Sequence, residues 1–201
     1  MKFVLASNNA KKLVELREIL GKLNIEVISQ KEAGIASNPE ENGKTFRDNA
    51  IIKAESACKL SGLPALADDS GLVVDALGGA PGVYSARYGG EGLTDVERYE
   101  LLLKSMEGKT DRTARFVSCI AAVFPDGDII TAQGVCEGEI LTKPVGDGGF
   151  GYDPIFWSKD LNKSLGEAEP DEKNAISHRS RALRTFSNST LLKEKTEGYK
   201  C

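Results

Sequence analysis

Short apolar runs alternate along this chain with segments in which leucine and isoleucine recur at helical spacing. Residues 2–6 read as a buried strand, residues 10–23 as a helix and residues 25–28 as a second strand. Later, two strands over 115–124 and 129–136 are joined by Pro-Asp-Gly-Asp, a typical hairpin turn. Because strands and helices are intermixed, the pattern predicts an α/β or α+β fold with a mixed sheet.

Two internal helices carry clear start signals. Thr45 is followed three residues later by Asp48, and Thr94 by Glu97, which predicts a capping box at each start. A last helix is predicted over 177–192. The strand that begins at Ala65 is expected to end at Ala67, before an Asp-Asp turn. The glycine-rich window 78–92 is expected to be an ordered loop.

Composition excludes several classes of protein. The formal net charge of the 201 residues is −4, whereas proteins that bind polymeric nucleic acid usually carry a basic surface. No stretch approaches the roughly 18 apolar residues that a membrane span needs, and the N-terminal run is too short for a signal peptide. Four scattered cysteines form no CxxC pair and indicate free thiols. We therefore expect a cytoplasmic protein.

The only histidine is His178. This excludes zinc sites that need two or more histidines. A metal would have to be held by carboxylates and water, which favours Mg²⁺ or Mn²⁺.

Two segments could bind phosphate. Ser7-Asn8-Asn9-Ala10-Lys11-Lys12 lies between the first strand and the first helix, where helix amides and a lysine favour an anion. An asparagine cap would explain the same residues. On the second predicted helix, Lys53 shares a face with Phe46 and Asn49, so it is either a snorkelling lysine or one directed at phosphate.

Asp68 and Asp69 follow a predicted buried strand, where carboxylates are costly without partners. Neighbouring residues of a strand face opposite sides, so different roles are expected: one holds a metal and polarises water, and the other braces the loop. A simple Asp turn is the alternative. Glu40 and Glu41 are a second possible source of a metal ligand.

Residues 146–154 contain a match to the dinucleotide-binding glycine pattern, but Pro154 prevents a helix from starting on schedule. A base pocket with Phe150 for stacking and Asp153 for an edge fits better, although a tight turn with a core aromatic would also do. Lys173, His178 and Arg179 could donate hydrogen bonds to a keto oxygen, or could be solvated charges.

Five segments together resemble the inosine triphosphate pyrophosphatase family, also known as Ham1-like non-canonical purine NTP pyrophosphatases. In sequence order they are SNNAKK, ENGKTFRDNAIIKA, ALADDSGLVVDALGGAPGVYSARYGGE, GGFGYDPIF and AISHRSRAL. The resemblance implies an α/β fold with an elongated mixed β-sheet flanked by helices, as a single domain over 1–201 with two lobes around a central active-site cleft. It also implies a homodimer that uses Mg²⁺ to cleave ITP, dITP and XTP to the monophosphate and pyrophosphate.

The resemblance also implies roles for particular residues. Asp69 is the general base and a metal ligand, Glu40 is the second ligand with Glu41 as the alternative, and Lys53 reaches the triphosphate. The remaining substrate-binding residues are Ser7, Asn8, Asn9, Lys12, Ser70, Phe150, Gly151, Tyr152, Asp153, Lys173, His178 and Arg179.

Two rivals differ from this hypothesis in substrate or in activity. One is a pyrophosphatase for other modified nucleotides, and the other is a nucleotide-binding regulator without catalysis. Substitution of Asp69 by Asn separates the catalyst from the regulator, because only a catalyst should lose turnover.

Overall fold

The computed structural model describes residues 1–7, 9–22 and 24–198. Seven strands form one sheet in the order β2-β1-β3-β4-β5-β6-β7. The strands are β1 Lys2–Leu5, β2 Glu26–Ser29, β3 Ala65–Val74, β4 Thr113–Val123, β5 Ile129–Ile140, β6 Phe156–Ser158 and β7 Lys163–Ser164. The helices are α1 Ala10–Gly21, α2 Phe46–Ser61, α3 Asp95–Ser105, α4 Pro170–Ile176, α5 His178–Ser187 and α6 Thr190–Gly198.

The sheet is mixed, as predicted. Strand β1 pairs in parallel with β2 and with β3, whereas β6 pairs antiparallel with β5 and β7. The hairpin between β4 and β5 closes with the Phe124 amide donating to the Asp128 carbonyl at 3.0 Å. The α/β class with a mixed sheet and flanking helices is confirmed.

The chain divides into two compact units. The first comprises Met1–Asp69, Ser118–Gly134 and Arg179–Cys201, and the second comprises Ser70–Val117 and Val135–His178. That the whole chain is a single domain stays a prediction.

Alternation along the strands of the first unit gives each face of the sheet its own core. Phe3, Leu5 and Leu66 pack in a cluster with residues of α1 and α5. Val4, Ala65 and Ala67 pack in another cluster with the small residues of α2. Helices therefore cover both faces here, because successive side chains of a strand point to opposite sides. The second unit has a separate core, to which Leu72, Leu102 and Phe156 belong.

The two capping boxes are present as predicted. Thr45 caps α2 reciprocally with Asp48, and Thr94 caps α3 with Glu97. Gly62 caps the C-terminal end of α2, and its φ of 68° is the left-handed conformation that glycine adopts without strain.

Two expectations about local structure are wrong. Strand β3 does not end at Ala67 but continues through both aspartates to Val74. The last helix predicted over 177–192 is two helices, because Ser177 is extended before α5 begins and Asn188-Ser189 separates α5 from α6; α4 lies before the predicted span. Serine and asparagine compete with a helix for backbone hydrogen bonds, as the Ser187 hydroxyl does by donating to the Arg184 carbonyl. The loop at 78–92 contains a 3₁₀ helix over Gly82–Arg87.

Candidate active site

The start of α1 is capped by Asn9. Its Oδ1 accepts a hydrogen bond from the Lys12 amide at 3.2 Å, and the Ser7 hydroxyl accepts one from the Asn9 amide at 3.2 Å. The asparagine cap considered as the alternative is therefore present. A phosphate contact of Ser7 and Asn9 stays a prediction, and Asn8 lies outside the described residues.

Asp68 is surrounded by groups that stabilise its charge. The Lys12 ammonium lies 2.8 Å from Oδ2, the Arg179 guanidinium donates to the same oxygen at 3.0 Å, and the Ser118 hydroxyl donates to Oδ1 at 2.6 Å. The Asp68 side chain is wholly buried. Burial alone would raise the pKa of Asp68, but Arg179, Lys12 and Ser118 hold that pKa well below its usual range.

Asp69 forms an ion pair through one carboxylate oxygen, and its other oxygen has no hydrogen-bond partner among the described residues. The Lys53 ammonium lies 2.6 Å from Oδ1, while Oδ2 is buried and contacts no hydrogen-bond donor within the described part of the chain. Burial raises the pKa of the Asp69 carboxyl, and the Lys53 charge offsets that effect only in part. Asp69 is thus a carboxylate with a free acceptor in a poorly hydrated place.

Strand alternation explains why adjacent aspartates differ so much. Asp68 lies two residues after Leu66 and therefore faces the same side of the sheet. This is the side of α1 and α5, from which Lys12 and Arg179 reach it. Asp69 lies two residues after Ala67 and therefore faces α2, the helix that carries Lys53. The two aspartates therefore face opposite sides, as expected, and their division into a bracing and a metal-holding residue stays a prediction.

The carboxylate nearest to Lys53 after Asp69 is that of Glu41. Its Oε2 lies 3.4 Å from the Lys53 ammonium and its charge raises the pKa of Asp69. Glu40 is exposed, whereas Glu41 is half-buried. The geometry therefore favours Glu41, the alternative, over Glu40.

The donors here fit a hard divalent cation. Asp69 offers a buried oxygen that no described residue hydrogen-bonds, and Glu41 is a second carboxylate beside the same lysine. Within residues 1–7, 9–22 and 24–198, no group of three histidine, cysteine or acidic side chains is arranged to hold a metal. Mg²⁺ is suited to such a place, because it keeps several waters and is usually held by one or two carboxylates together with substrate phosphates.

In the second unit, Phe150, Asp153 and Lys173 form one cluster. The Lys173 ammonium lies 2.5 Å from Asp153 Oδ2 and 4.3 Å from the centre of the Phe150 ring. The Phe150 amide donates to Asp153 Oδ2 at 2.8 Å. Asp153 is thus occupied in holding the loop and Lys173, while its contact with a base edge stays a prediction.

The neighbouring residues of this loop have structural contacts. The Gly151 amide donates to Asp95 Oδ2 at 2.8 Å, and the buried Tyr152 hydroxyl donates to the Ser85 carbonyl at 2.8 Å. Ser70, the next residue of β3 after Asp69, is half-buried. Nothing in these contacts tests whether Gly151, Tyr152 or Ser70 touches substrate.

His178 and Arg179 are adjacent but have different surroundings. The His178 ring stacks on Phe116 with centroids 5.0 Å apart and an interplanar angle of 15°. Arg179 is almost fully buried and donates through Nε to Asp68. Its interpretation as a solvated charge is wrong, and a contact between Arg179 and a base stays a prediction.

Ser118 was not predicted from the sequence, and Asn49 was given no role of its own. Ser118 lies in the interior of β4 and no local pattern marks it. Asn49 is fully buried on α2 and its Oδ1 accepts a hydrogen bond from the Gly43 amide at 2.9 Å. The signal that could have identified Asn49 was an asparagine directly before the apolar run 50–52 of the predicted helix, because asparagine is a poor helix former.

Known proteins resemble this chain over nearly its whole length. The sequence profile of the Ham1 family matches residues 3–189. A dITP/XTP pyrophosphatase of Coxiella burnetii is 48% identical over 198 residues, which cover 96% of this chain and 98% of that protein. Another, from Desulfotalea psychrophila, is 48% identical over 180 residues, 90% of this chain and 81% of that protein. The solved structure of a HAM1 protein from Coxiella burnetii has a TM-score of 0.89 at 47% identity, covering 96% of this chain and 99% of that chain.

Proposed function

This chain belongs to the Ham1 family, and we propose that it hydrolyses non-canonical purine nucleoside triphosphates, such as dITP, XTP and ITP, to the monophosphate and pyrophosphate. The names of its relatives support this substrate class. The observation that carries the proposal is the buried Asp69 Oδ2, which lacks a hydrogen-bond donor among the described residues and lies on a carboxylate already paired with Lys53.

Two lysines are suited to the charge of a triphosphate. A nucleoside triphosphate carries close to four negative charges, and the leaving pyrophosphate gains more as the bond breaks. The ammonium groups of Lys12 and Lys53 both lie within 3.4 Å of the Asp68 carbonyl oxygen, so they converge on one point of the backbone. Both are largely removed from solvent, where their effect on a developing charge is stronger than in water.

We propose that Mg²⁺ is held by Asp69 and Glu41, which replaces Glu40 in the ligand set. When bound, this ion would neutralise phosphate charge and polarise the scissile phosphate. The two protein carboxylates leave coordination positions for phosphate oxygens and water, as Mg²⁺ sites that bind nucleotides require.

Asp69 is the proposed general base. The oxygen of a water molecule attacks the α-phosphorus, the bond from that phosphorus to the oxygen bridging the β-phosphate breaks, and pyrophosphate leaves with the electron pair. Asp69 accepts the proton of the water. Because burial raises the pKa of Asp69, its carboxylate is a better proton acceptor than an ordinary surface aspartate.

In the second unit, Phe150 and Lys173 are proposed to bind the purine base. The Phe150 ring offers a face for stacking, and the Lys173 ammonium can only donate hydrogen bonds. Such a donor can hydrogen-bond to the 6-keto oxygen of hypoxanthine or xanthine, but it faces another donor in the 6-amino group of adenine. We also propose that His178 contributes a donor to the base, and that Arg179, in the first unit, is a substrate-binding residue.

The assembly and location are further parts of the proposal. None of the helices in the described residues could cross a membrane. A cytoplasmic homodimer, each chain one domain, is what the family resemblance implies. Sedimentation equilibrium of the full chain would test the dimer, and a monomer at micromolar concentration would contradict it.

The reaction is tested by measuring pyrophosphate and orthophosphate separately with dITP, XTP, ITP, ATP and GTP in the presence of Mg²⁺. Pyrophosphate release from the first three and little from ATP or GTP is the expected result. The Asp69→Asn variant should lose turnover by orders of magnitude and still bind nucleotide. Release of orthophosphate, or turnover that survives in Asp69→Asn, would contradict the mechanism.

A further inference from the structure

Asn49 is a fully buried polar residue near the start of α2, a helix whose other buried residues are alanines and one cysteine. It lies one helical turn before Lys53, so both side chains are on the same face of α2. An asparagine at such a position weakens the helix relative to alanine and must dehydrate an amide group. Its presence therefore calls for a contact that an apolar residue could not make.

The contact that Asn49 makes is with the loop that carries Glu41. Asn49 Oδ1 accepts a hydrogen bond from the Gly43 amide at 2.9 Å. The orientation of the side-chain amide follows from this bond, since a backbone N–H can only donate and must face the oxygen. The second amide atom, Nδ2, is buried without a hydrogen-bond partner among the described residues.

The loop is packed tightly against the start of α2 at the same place. A Cβ added to Gly43 would come within 2.6 Å of Asn49 Oδ1 and within 2.9 Å of the Asn49 amide nitrogen. Two residues before Gly43, the Glu41 carboxylate lies 3.4 Å from the Lys53 ammonium. The segment from Glu41 to Gly43 is thus fastened to one helix by two contacts a single turn apart.

We propose that Asn49 is a positioning residue that sets the place of the Glu41 carboxylate through the Gly43 amide. This inference rests on the proposed role of Glu41 as a metal ligand. Without the Asn49 bond, Glu41 keeps its contact with the flexible Lys53 side chain, but that contact does not fix the distance between the Glu41 and Asp69 carboxylates. Hydrogen-bond partners of metal ligands are typically worth 10- to 100-fold in metal affinity.

The test is the affinity of the full chain for Mn²⁺, measured by calorimetry without nucleotide, so that the readout does not depend on activity. Asn49→Ala should weaken Mn²⁺ binding by about 10- to 100-fold. Asn42→Ala, the same change at an exposed position in the same loop, is the matched control and should leave the affinity within about twofold of the wild type.

Gly43→Ala tests the same contact from the other side, with Asn49 intact. The added methyl group must push the loop away from α2, so the loss of Mn²⁺ affinity should resemble that of Asn49→Ala. The double variant should be no weaker than the weaker single variant, because both changes break one contact. If Asn49→Ala does not fold by circular dichroism, Gly43→Ala carries the test.

Glu41→Gln separates a positioning role from a general structural one. If Asn49 acts through Glu41, adding Asn49→Ala to Glu41→Gln produces no further loss of Mn²⁺ affinity. A further tenfold loss in that background, or an unchanged affinity in Asn49→Ala and Gly43→Ala, would overturn the inference. An unchanged Mn²⁺ affinity in Glu41→Gln would overturn both this inference and the proposed role of Glu41 as a metal ligand. The proposed reaction is tested separately, by pyrophosphate release from the wild-type chain.

Discussion

Asp68 and Asp69 offer a pair of variants in which the same chemical change should have opposite consequences for stability. Asp68→Asn removes the negative charge that Arg179 and Lys12 share. The Arg179 side chain is 3% exposed and that of Lys12 is 17% exposed. Lys12 can regain water when its partner is lost, but Arg179 remains a buried cation without its partner charge from Asp68.

The magnitude follows from the burial of the Asp68–Arg179 pair. Removing one partner of a buried ion pair costs about 3–5 kcal/mol, since the other charge stays desolvated. The loss is a large part of the roughly 5–15 kcal/mol by which a domain is stable. For a chain of this length it corresponds to a fall of about 6–20 °C in the melting temperature.

Asp69→Asn is the matched control. The folded protein holds Asp69 in a place that burial makes unfavourable for a carboxylate, which is why its pKa is raised. A group with a raised pKa is less stable as an anion in the folded state than in the unfolded state, so neutralising it should cost nothing or stabilise the fold. Lys53 keeps Glu41 as a partner at 3.4 Å.

The assay is urea unfolding of the wild type and both variants at neutral pH with EDTA present. EDTA removes divalent metal, so that the free energies of unfolding report the protein alone. Equal slopes of free energy against urea would show that the denatured states are comparable. Equal losses of unfolding free energy in the two variants, or a larger loss in Asp69→Asn, would refute the argument that the fold stabilises the charge of Asp68 and destabilises that of Asp69.

Three further predictions concern other parts of the chain. Gly149→Ala should raise KM for dITP more than it lowers kcat, since a Cβ there would lie 2.2 Å from Asp153 Oδ2. The φ of 75° at this position adds about 1–2 kcal/mol of strain for alanine. An unchanged KM would contradict the proposed role of this loop in binding the base. Tyr152→Phe should lower the free energy of unfolding in urea by about 1 kcal/mol, because the buried hydroxyl donates to the Ser85 carbonyl; no change would show that water replaces it. Burial raises the pKa of Cys119 to about 11, so iodoacetamide at pH 8 should label it only after unfolding, as mass spectrometry of the native and urea-treated chain can show.

Features of this fold that depend on near neighbours could be predicted from the sequence. The capping boxes of α2 and α3 join residues three positions apart, so Thr45 with Asp48 and Thr94 with Glu97 were visible without a structure. The turn between β4 and β5 was visible for the same reason. Local hydrogen bonds depend on local residues, and a pattern of four or five letters is enough to specify them.

The interior of β3 could not be predicted in this way. Two aspartates usually mark the end of a strand, because buried carboxylates need partners. The partners of Asp68 come from positions 56 and 111 residues away along the chain, in Lys12 and Arg179. No local pattern reveals a charge balance assembled over such a separation, so the strand was expected to stop one residue before it.

The same reasoning explains the uncertainty over Glu40 and Glu41. Both are acidic residues of one loop, and nothing in their immediate neighbours distinguishes them. The distinction arises because Asn49 and Lys53 of α2 hold the loop at Gly43 and Glu41. The family resemblance could narrow the ligand to this pair, but only the contacts with the helix favour one of them.

Once β3 is known to be continuous, the different surroundings of its aspartates follow from the geometry of a strand. The pairing of Val4 with Ala65 and of Leu5 with Leu66 fixes which residues of β3 face each side of the sheet. A shift of this pairing by one residue would turn Asp69 towards Arg179 and Asp68 towards Lys53. Asp69, the proposed base, would then be neutralised by buried cations, and Asp68 would lose them. The register of β1 and β3, set by the apolar residues on both faces, therefore decides which of the two carboxylates is surrounded by buried cations.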